Sequence, residues 1–250
     1  MATLEVRDLT FAYNNTRNIL KNINLTVNDG ELVCLLGVSG GGKTTLFNII
    51  AGLLKPQQGR VLIDGEDITG QTGRVSYMLQ KDMLLPYRTV EDNIALPLLI
   101  KGMNKKEARK IVRGNTERFG IAGREKKYPA QLSGGMRQRA ALLRTYLFSA
   151  DVALLDEPFS ALDTITKSAM HRWYLDVMEN IKMSTVFITH DVDEAILLSD
   201  RILLLGGRPA TLTDEIVIDE PKPRSSDFVL TDRFLQYKRR IISKIQAPEA

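Results

Sequence analysis

The feature that most constrains this chain is a glycine-rich segment at 37–45, which reads Gly-Val-Ser-Gly-Gly-Gly-Lys-Thr-Thr. The apolar run 32–36 precedes it and 46–51 follows it, so the segment joins a predicted strand to a predicted helix. Glycines allow consecutive backbone N–H groups to turn toward one anion, and the N-terminus of the following helix adds further donors. The segment therefore has the order and the surroundings of a P-loop, which binds phosphate groups.

Two side chains at the end of this loop suit the chemistry of a nucleotide. Lys43 supplies a mobile positive charge for the outer phosphates. Thr44 supplies a hydroxyl for Mg²⁺, which prefers oxygen ligands. The chain contains one such loop, so we expect a single nucleotide-binding unit.

Composition places the chain among ordinary globular proteins. Its 250 residues are 44% hydrophobic and 26% charged, which suffices for a sizeable core. The single cysteine, Cys34, excludes a disulfide framework within the chain and favours a reducing compartment. No apolar run approaches the roughly 20 residues that span a bilayer, and the N-terminus lacks the pattern of a signal peptide. We therefore expect a cytosolic protein unless a partner holds it at a membrane. The net charge of +4 is too mild to indicate nucleic acid or lipid as a partner.

Hydrophobic patterns predict an α/β fold. Alternating apolar residues at 4–13 and 23–27 predict antiparallel strands before the P-loop. Strands at 152–155 and 185–189 alternate with helical stretches, which indicates a parallel sheet. Residues 86–147, between these blocks, have mainly helical patterns. We predict one domain, 1–250, with an α/β core and N-terminal β subdomain (1–85 and 148–205), a helical subdomain (86–147) and a C-terminal extension (206–250).

The C-terminal extension has two features of its own. The segment Pro-Lys-Pro-Arg at 221–224 indicates a linker, and 231–245 predicts a basic helix. That helix could contact a membrane or a regulator, or it could pack on the core as a solvated amphipathic helix. The sequence leaves both alternatives open.

A pair of carboxylates follows the predicted strand 152–155. Asp156 and Glu157 would lie at the carboxyl edge of the sheet, where ligands bind in open α/β folds. Asp156 can help to hold Mg²⁺, and Glu157 is placed to orient or deprotonate a water that attacks a terminal phosphate. The pair therefore predicts phosphoryl chemistry beside the P-loop.

A second glycine motif, Leu-Ser-Gly-Gly at 132–135, precedes a helical stretch at 136–147. Its hydroxyl and exposed N–H groups resemble a second phosphate-binding helix start. An ordinary helix start after a loop explains the same residues. Because one P-loop already holds the phosphates of one nucleotide, the purpose of a second anion site stays open at this point.

Six motifs follow one another in order: the P-loop, Gln80, 132–135 (Leu-Ser-Gly-Gly), 156–158 (Asp-Glu-Pro), 160–163 (Ser-Ala-Leu-Asp) and His190. With this order the chain resembles the ATPase subunit of an ABC transporter over its whole length. The resemblance implies a P-loop NTPase (RecA-like) core with an antiparallel β subdomain and an inserted α-helical subdomain. In that family two ATPase subunits pack head to tail, and each ATP lies between the P-loop of one subunit and the Ser-Gly-Gly signature of the other. This arrangement gives the second anion site a purpose.

The resemblance also assigns roles by position. It implies that Glu157 is the catalytic base, that His190 contacts the γ-phosphate, and that Gln80 contacts Mg²⁺ and water and links to the transmembrane partner. Tyr13 would stack on adenine, although a strand aromatic is often a core residue. The other implied contacts with ATP or Mg²⁺ are Gly37, Ser39, Gly40, Gly42, Lys43, Thr44 and Thr45 of the P-loop, Asp156, and, at the site shared with the second subunit, Ser133, Gly134, Gly135 and Asp163. His171 matches no motif and is expected on a helix surface.

A narrower resemblance is to importers of nitrate, taurine and alkyl sulfonates. The segments 84–97, 207–209 and 221–224 are similar to that group, and relatives for bicarbonate and pyrimidine precursors share the pattern. Met136 stands where the broad family most often has glutamine, which leaves Ser133 and both signature glycines intact.

The resemblance implies an ATP-hydrolysing subunit of an importer for a small anionic or organic solute, bound peripherally at the cytoplasmic face of the membrane. Its implied partners are permease subunits, a second identical or related ATPase subunit and, indirectly, a solute-binding protein; no nucleic acid is expected. The alternatives are an ABC ATPase acting on nucleic acid or ribosomes, an exporter subunit, and a regulatory protein with little catalysis.

Overall fold

A computed structural model describes residues 3–15, 17–148, 150–160, 162–179, 181 and 183–246. Ala161, within one of the six motifs, lies outside the described residues. The strands are β1 Leu4–Phe11, β2 Leu20–Val27, β3 Leu32–Gly37, β4 Gln58–Ile63, β5 Glu66–Asp67, β6 Ser76–Met78, β7 Val152–Asp156, β8 Ser184–Thr189, β9 Arg201–Gly206 and β10 Thr211–Val217. The helices are α1 Lys43–Ile50, α2 Val90–Ile94, α3 Leu96–Ile100, α4 Lys105–Asn115, α5 Gly134–Leu147, α6 Thr164–Glu179, α7 Val192–Leu198 and α8 Asp232–Ile245. None of the described helices combines the length and the apolar character needed to cross a membrane.

The strands form two sheets. The antiparallel sheet has the order β2-β1-β4-β5, and the larger sheet has the order β10-β9-β3-β8-β7-β6. In the larger sheet β9, β3, β8, β7 and β6 run parallel, and β10 pairs antiparallel to β9 at the edge. Every residue of β7 and β8 is buried, as expected for strands covered on both faces. The predicted α/β fold class, with its antiparallel β sheet and inserted helices, is confirmed.

The core lies on both faces of the larger sheet. Val33 and Leu35 of β3 pack toward the antiparallel sheet and α1, whereas Cys34 and Leu36 pack toward the helices on the opposite face. This division follows from the period of two residues in a strand. The larger sheet is thus packed on both faces, and this packing holds the ends of its parallel strands in place.

The region 86–147, predicted to be mainly helical, contains two short helices at 90–100, α2 and α3. The Thr89 hydroxyl accepts a hydrogen bond from the Asp92 N–H at 3.3 Å and caps α2. Pro97 has no N–H to continue the ladder, so the chain breaks at Ala95 and restarts as α3. Propensity alone did not show this break.

The C-terminal extension is anchored to the core. The Arg224 guanidinium is buried and donates to the carbonyls of Ile196 and Ser199 at the end of α7, at 2.7 and 2.6 Å. The interpretation of 221–224 as a linker is therefore wrong, because Arg224 supplies donors that the last carbonyls of a helix lack. Helix α8 buries Phe234, Tyr237 and Ile241 in the core, as the packed alternative for 231–245 requires.

Candidate active site

Four neighbouring parallel strands, β3, β8, β7 and β6, end at one edge of the larger sheet. The P-loop follows β3, His190 follows β8, and Asp156 closes β7. Gln80 lies two residues beyond β6. Because carboxyl ends of parallel strands meet at the same edge, residues far apart in sequence become neighbours there.

The P-loop adopts the conformation that its glycines predict. A Cβ at Gly37 would lie 2.3 Å from the carbonyl oxygen of Leu205 in β9, so only glycine fits against that strand. Gly40 and Gly42 have φ of 75° and 90°, which side chains disfavour. Ser39 and Gly40 are exposed on the loop. The loop therefore offers its backbone to a ligand outside the sheet edge.

Lys43 begins α1 under this loop. Its Nζ donates to the carbonyls of Gly37 and Val38, at 2.8 Å each. Burial lowers the pKa of Lys43, while the nearby Glu157 and Asp156 carboxylates oppose that fall. The ammonium group is thus held by weak neutral acceptors, which stronger anionic acceptors can replace.

Thr44 and Asp156 bring two oxygen groups together. The Thr44 hydroxyl donates to Oδ2 of Asp156 at 3.0 Å. Burial raises the pKa of Asp156, against the hydrogen bond from Thr44, which lowers it. A hydroxyl and a carboxylate beside a phosphate loop fit the oxygen ligands that Mg²⁺ prefers, with phosphates supplying the remainder.

Glu157 joins the two other predicted catalytic residues. Its Oε2 accepts a hydrogen bond from Nε2 of Gln80 at 2.9 Å, and its Oε1 lies 3.2 Å from Nδ1 of His190. Its φ is 46°, a strained value for glutamate, and its N–H donates to the Ile188 carbonyl at 3.0 Å. Ser160 closes the turn by donating to the Glu157 carbonyl. With this backbone conformation, the carboxylate of Glu157 lies between Gln80 and His190.

Tyr13 lies outside the strands, at the start of a short 3₁₀ turn. Its ring is 43% exposed and meets Phe11 edge to face, with ring centroids 4.9 Å apart. Its hydroxyl is 3.4 Å from Oγ1 of Thr45, within the first turn of α1. The alternative that Tyr13 is a core residue is wrong, and its ring lies beside the P-loop helix.

The signature residues lie elsewhere. The Ser133 hydroxyl accepts a hydrogen bond from the Met136 N–H at 3.3 Å and caps α5, which begins at Gly134. The Cβ directions of Gly134 and Gly135 face Leu162 and Thr166, near the start of α6. Asp163 accepts from the Thr166 N–H at 3.1 Å. Among the described contacts, those of the signature lie with this segment and not with the P-loop of the same chain.

The expectation that His171 lies on a helix surface is wrong. His171 is 8% exposed, its Nε2 is 2.8 Å from Oε1 of Glu194, and its ring packs edge to face against Phe159. The positions 171, 174, 175 and 178 have the i, i+3, i+4, i+7 spacing of a buried helix face, and this spacing could have revealed it. Lys167, which pairs with Asp191 next to His190, belongs to no motif and was not predicted either.

Comparison with known proteins shows the family to which this chain belongs. The sequence profile described as ABC transporter matches residues 20–160, more than half of the chain. The chain belongs to the ABC transporter family. The resemblance inferred from the order of the motifs is thereby confirmed.

Several curated relatives of this ABC protein are ATP-binding subunits. It is 43% identical to the formylaminopyrimidine import ATP-binding protein ThiZ of Halalkalibacterium halodurans, over 82% of this chain and 80% of that protein. It is 36% identical to the nitrate import ATP-binding protein NrtD of Synechocystis, over 98% and 96%. It is 38% identical to the aliphatic sulfonates import ATP-binding protein SsuB of Bacillus cereus, over 92% and 90%.

A solved structure agrees with the fold and the chemistry. The dimeric post-hydrolysis state of the ATP-binding cassette MJ0796, bound to ADP and Pi, covers 87% of this chain and all of its own, with a TM-score of 0.74 and 28% identity. The ABC protein described here is therefore an ATPase, an enzyme that binds and hydrolyses ATP.

Proposed function

We propose that this ABC ATPase powers a membrane importer for a small anionic or organic solute. The observation that carries the catalytic part of this proposal is the cluster of Gln80, Glu157 and His190 at the sheet edge that also bears the P-loop. Such a cluster supplies the base, its supports and the phosphate cradle that hydrolysis of a triphosphate requires. A regulatory protein with little catalysis has no need for this geometry.

The geometry suggests how each group acts on ATP. Lys43 exchanges the carbonyls of Gly37 and Val38 for the outer phosphate oxygens, which are stronger acceptors. Glu157 accepts a proton from the attacking water, and His190 stands beside it at the γ-phosphate. Thr44, Asp156 and Gln80 would hold Mg²⁺. When bound, that ion neutralises the negative charge between the outer phosphates.

The placement of the signature supports a dimer as the working unit. Ser133, Gly134 and Gly135 lie by the start of α6, and their N-terminal donors are offered to a ligand that the P-loop of the same chain does not hold. A second copy, or a related subunit, placed head to tail supplies each ATP with one P-loop and one signature. The dimeric cassette MJ0796 is similar to this chain and supports this arrangement.

A groove between the end of α1 and the helical segment supports a permease partner. The groove has a volume of about 350 Å³, and its lining residues include Leu53, Pro97, Ile100 and Phe148. Leu53 and Ile100 are 58% and 82% exposed, which is unusual for large apolar side chains near one another. A short amphipathic helix of a membrane subunit fits this chemistry. The ATPase would then lie peripherally at the cytoplasmic face of the membrane.

The names of the relatives support the proposed solute class. Proteins 36–43% identical to this chain carry names for import of nitrate, aliphatic sulfonates or formylaminopyrimidine. The solute itself contacts the permease and any binding protein, so it leaves no mark in the ATPase. Reconstitution with the permease and solute-binding protein encoded beside its gene, followed by uptake assays with these solutes, tests this part; copurification with ribosomes or nucleic acid instead would contradict it.

The catalytic assignment predicts that Glu157→Gln keeps ATP binding and loses most turnover. The amide keeps the shape of the side chain but cannot accept the proton. Titration with a fluorescent ATP analogue measures binding, and phosphate release measures turnover, with the exposed Glu117→Gln as the matched control. Hydrolysis by Glu157→Gln at the control's rate would remove Glu157 as the base.

A further inference from the structure

Helix α6 contacts both segments that follow the catalytic pair, and one of its side chains contacts the two together. The His171 ring packs edge to face on Phe159, with ring centroids 4.9 Å apart, while its Nε2 lies 2.8 Å from Oε1 of Glu194. Phe159 stands two residues after Glu157, and Glu194 stands four residues after His190. His171 therefore links the loop after β7 to the first turn of α7, the helix that follows β8.

The Phe159 side of this bridge bears on Glu157. Phe159 is 1% exposed and also meets Tyr174 of α6 edge to face, at 5.5 Å. The turn from Glu157 to Ser160 is closed by hydrogen bonds to the Glu157 carbonyl, so Phe159 and Glu157 move together. Because Glu157 has the strained φ of 46°, it keeps this conformation only while its surroundings enforce it.

The Glu194 side bears on His190. Glu194 is 2% exposed, and a buried carboxylate needs partners; these are His171 and Lys167, whose Nζ is 3.3 Å from the same oxygen. Lys167 also pairs with Asp191 at 2.7 Å. Asp191 accepts the N–H groups of Asp193 and Glu194 and so caps α7. These contacts fix the start of α7, and with it the residue that precedes Asp191.

We propose that His171 is a positioning residue for ATP hydrolysis, which holds Phe159 and Glu194 apart at a set distance and thereby keeps Glu157 and His190 in contact at 3.2 Å. This inference rests on the catalytic roles proposed above for Glu157 and His190. His171 does not touch the nucleotide site. It acts through Phe159 in the loop after β7 and through Glu194 in α7. A displacement of about 1 Å in a catalytic group can lower a rate by as much as roughly a hundredfold.

The two contacts of His171 can be separated by substitution. His171→Phe keeps an aromatic ring against Phe159 and removes the hydrogen bond to Glu194. His171→Gln places an amide nitrogen near the position of Nε2 and restores that hydrogen bond. We expect His171→Phe to lower kcat about tenfold or more while KM for ATP stays unchanged, since the P-loop contacts are untouched. We expect His171→Gln to recover most of kcat.

The experiment measures kcat and KM of the full chain by phosphate release, with Arg172→Ala, an exposed position on the same helix, as the control. Intrinsic fluorescence of Trp173, the only tryptophan, checks in each variant that α6 keeps its packing against α5. If His171→Phe folds poorly, His171→Met removes the same hydrogen bond at similar volume. A lower kcat for His171→Phe at unchanged KM, together with recovery of kcat in His171→Gln, supports the inference. A folded His171→Phe with the control's kcat overturns it, and so do equal losses of kcat in His171→Phe and His171→Gln. If Glu157→Gln is inactive while His171→Phe is fully active, only this inference fails, whereas an active Glu157→Gln overturns the catalytic assignment.

Discussion

At the scale of single residues, the site contains groups that the fold tolerates at a cost. Asp156 is 5% exposed and Lys43 is 7% exposed. Burial raises the pKa of Asp156 and lowers the pKa of Lys43, so it favours the neutral form of each group. Glu157 adds backbone strain. Groups of this kind are retained for what they do with a ligand, since they do not favour the ligand-free fold.

Asp156 gives a prediction with a defined sign. Burial raises its pKa in the folded chain, so the folded state binds that proton more tightly than the unfolded state. Stability therefore falls as pH rises from the ordinary aspartate value through the raised value, and at about pH 7 the ionised carboxylate destabilises the fold. Asp156→Asn should raise the unfolding temperature of the nucleotide-free protein at that pH, and the gain should shrink toward pH about 4.

Calorimetry across this pH range tests the prediction, with the exposed Asp151→Asn as the control at the other end of β7. The same Asp156→Asn variant should lose the stabilisation that ATP with Mg²⁺ gives the wild-type chain. An unfolding temperature below that of the wild type at neutral pH would show that the carboxylate stabilises the empty site.

Much of the site could be predicted at this scale, and the reason is local. Gly37 to Thr45 and the pair Asp156-Glu157 each lie at the end of a short apolar strand, so the sequence itself shows their place at a sheet edge. His171 could not be placed in this way from a motif. Its burial depends on Phe159 and Glu194, which come from other segments of the chain.

At the scale of elements, a helix end could be predicted from the sequence where its capping residue is local. Ser133 lies at a predicted helix start and accepts the expected backbone hydrogen bond, and Thr89 caps α2 in the same way. The end of α7 is different, because its carbonyls are satisfied by Arg224, a residue 26 positions after Leu198 in a segment that looks like a linker. Local patterns do not reveal a cap that arrives from so far along the chain.

Arg224 therefore carries a stability prediction. Its guanidinium donates to Ile196 and Ser199 at the end of α7 and to Ile218 after β10. Arg224→Met keeps much of the volume and leaves these carbonyls without a donor, which should lower the free energy of unfolding by about 3 kcal/mol. Urea unfolding measures this, and the exposed Arg239→Met on α8 serves as the control. A change equal to the control's would mean that water replaces the guanidinium at no cost.

At the scale of the whole molecule, the P-loop and the Ser-Gly-Gly signature lie at separate places among the described residues. The P-loop opens at the edge formed by β3, β8, β7 and β6, and the signature caps α5 beside the start of α6. The motifs predicted both features, but a single chain contains no information on how its copy lies against it. The head-to-tail pairing is what the family resemblance implies, and the similar cassette MJ0796 is a dimer.

This separation predicts complementation between two inactive variants. Lys43→Ala removes the phosphate-binding charge, and Ser133→Arg blocks the signature, so each variant alone has both sites of its dimer damaged. A mixed dimer concentrates both substitutions in one site and leaves the other intact. Since about half of randomly paired dimers are mixed, mixing equal amounts should restore at most roughly a quarter of wild-type phosphate release.

The control mixes Lys43→Ala with Lys43→Met, a pair that cannot form an intact site. Recovery only in the first mixture indicates sites shared between copies. Equal and negligible phosphate release in both mixtures would contradict the head-to-tail arrangement for copies of this chain.

The placement of the signature away from the P-loop also bears on how little ATP this enzyme would hydrolyse outside a transporter. If each ATP is held between two copies, as proposed above, an isolated chain binds a nucleotide without completing the site around it. In that arrangement the total rate of hydrolysis grows with the square of the chain's concentration when copies are scarce, and a permease that binds two copies would raise their local concentration. Newly made chains that have not found a transporter would thus leave the cellular nucleotide pool undisturbed.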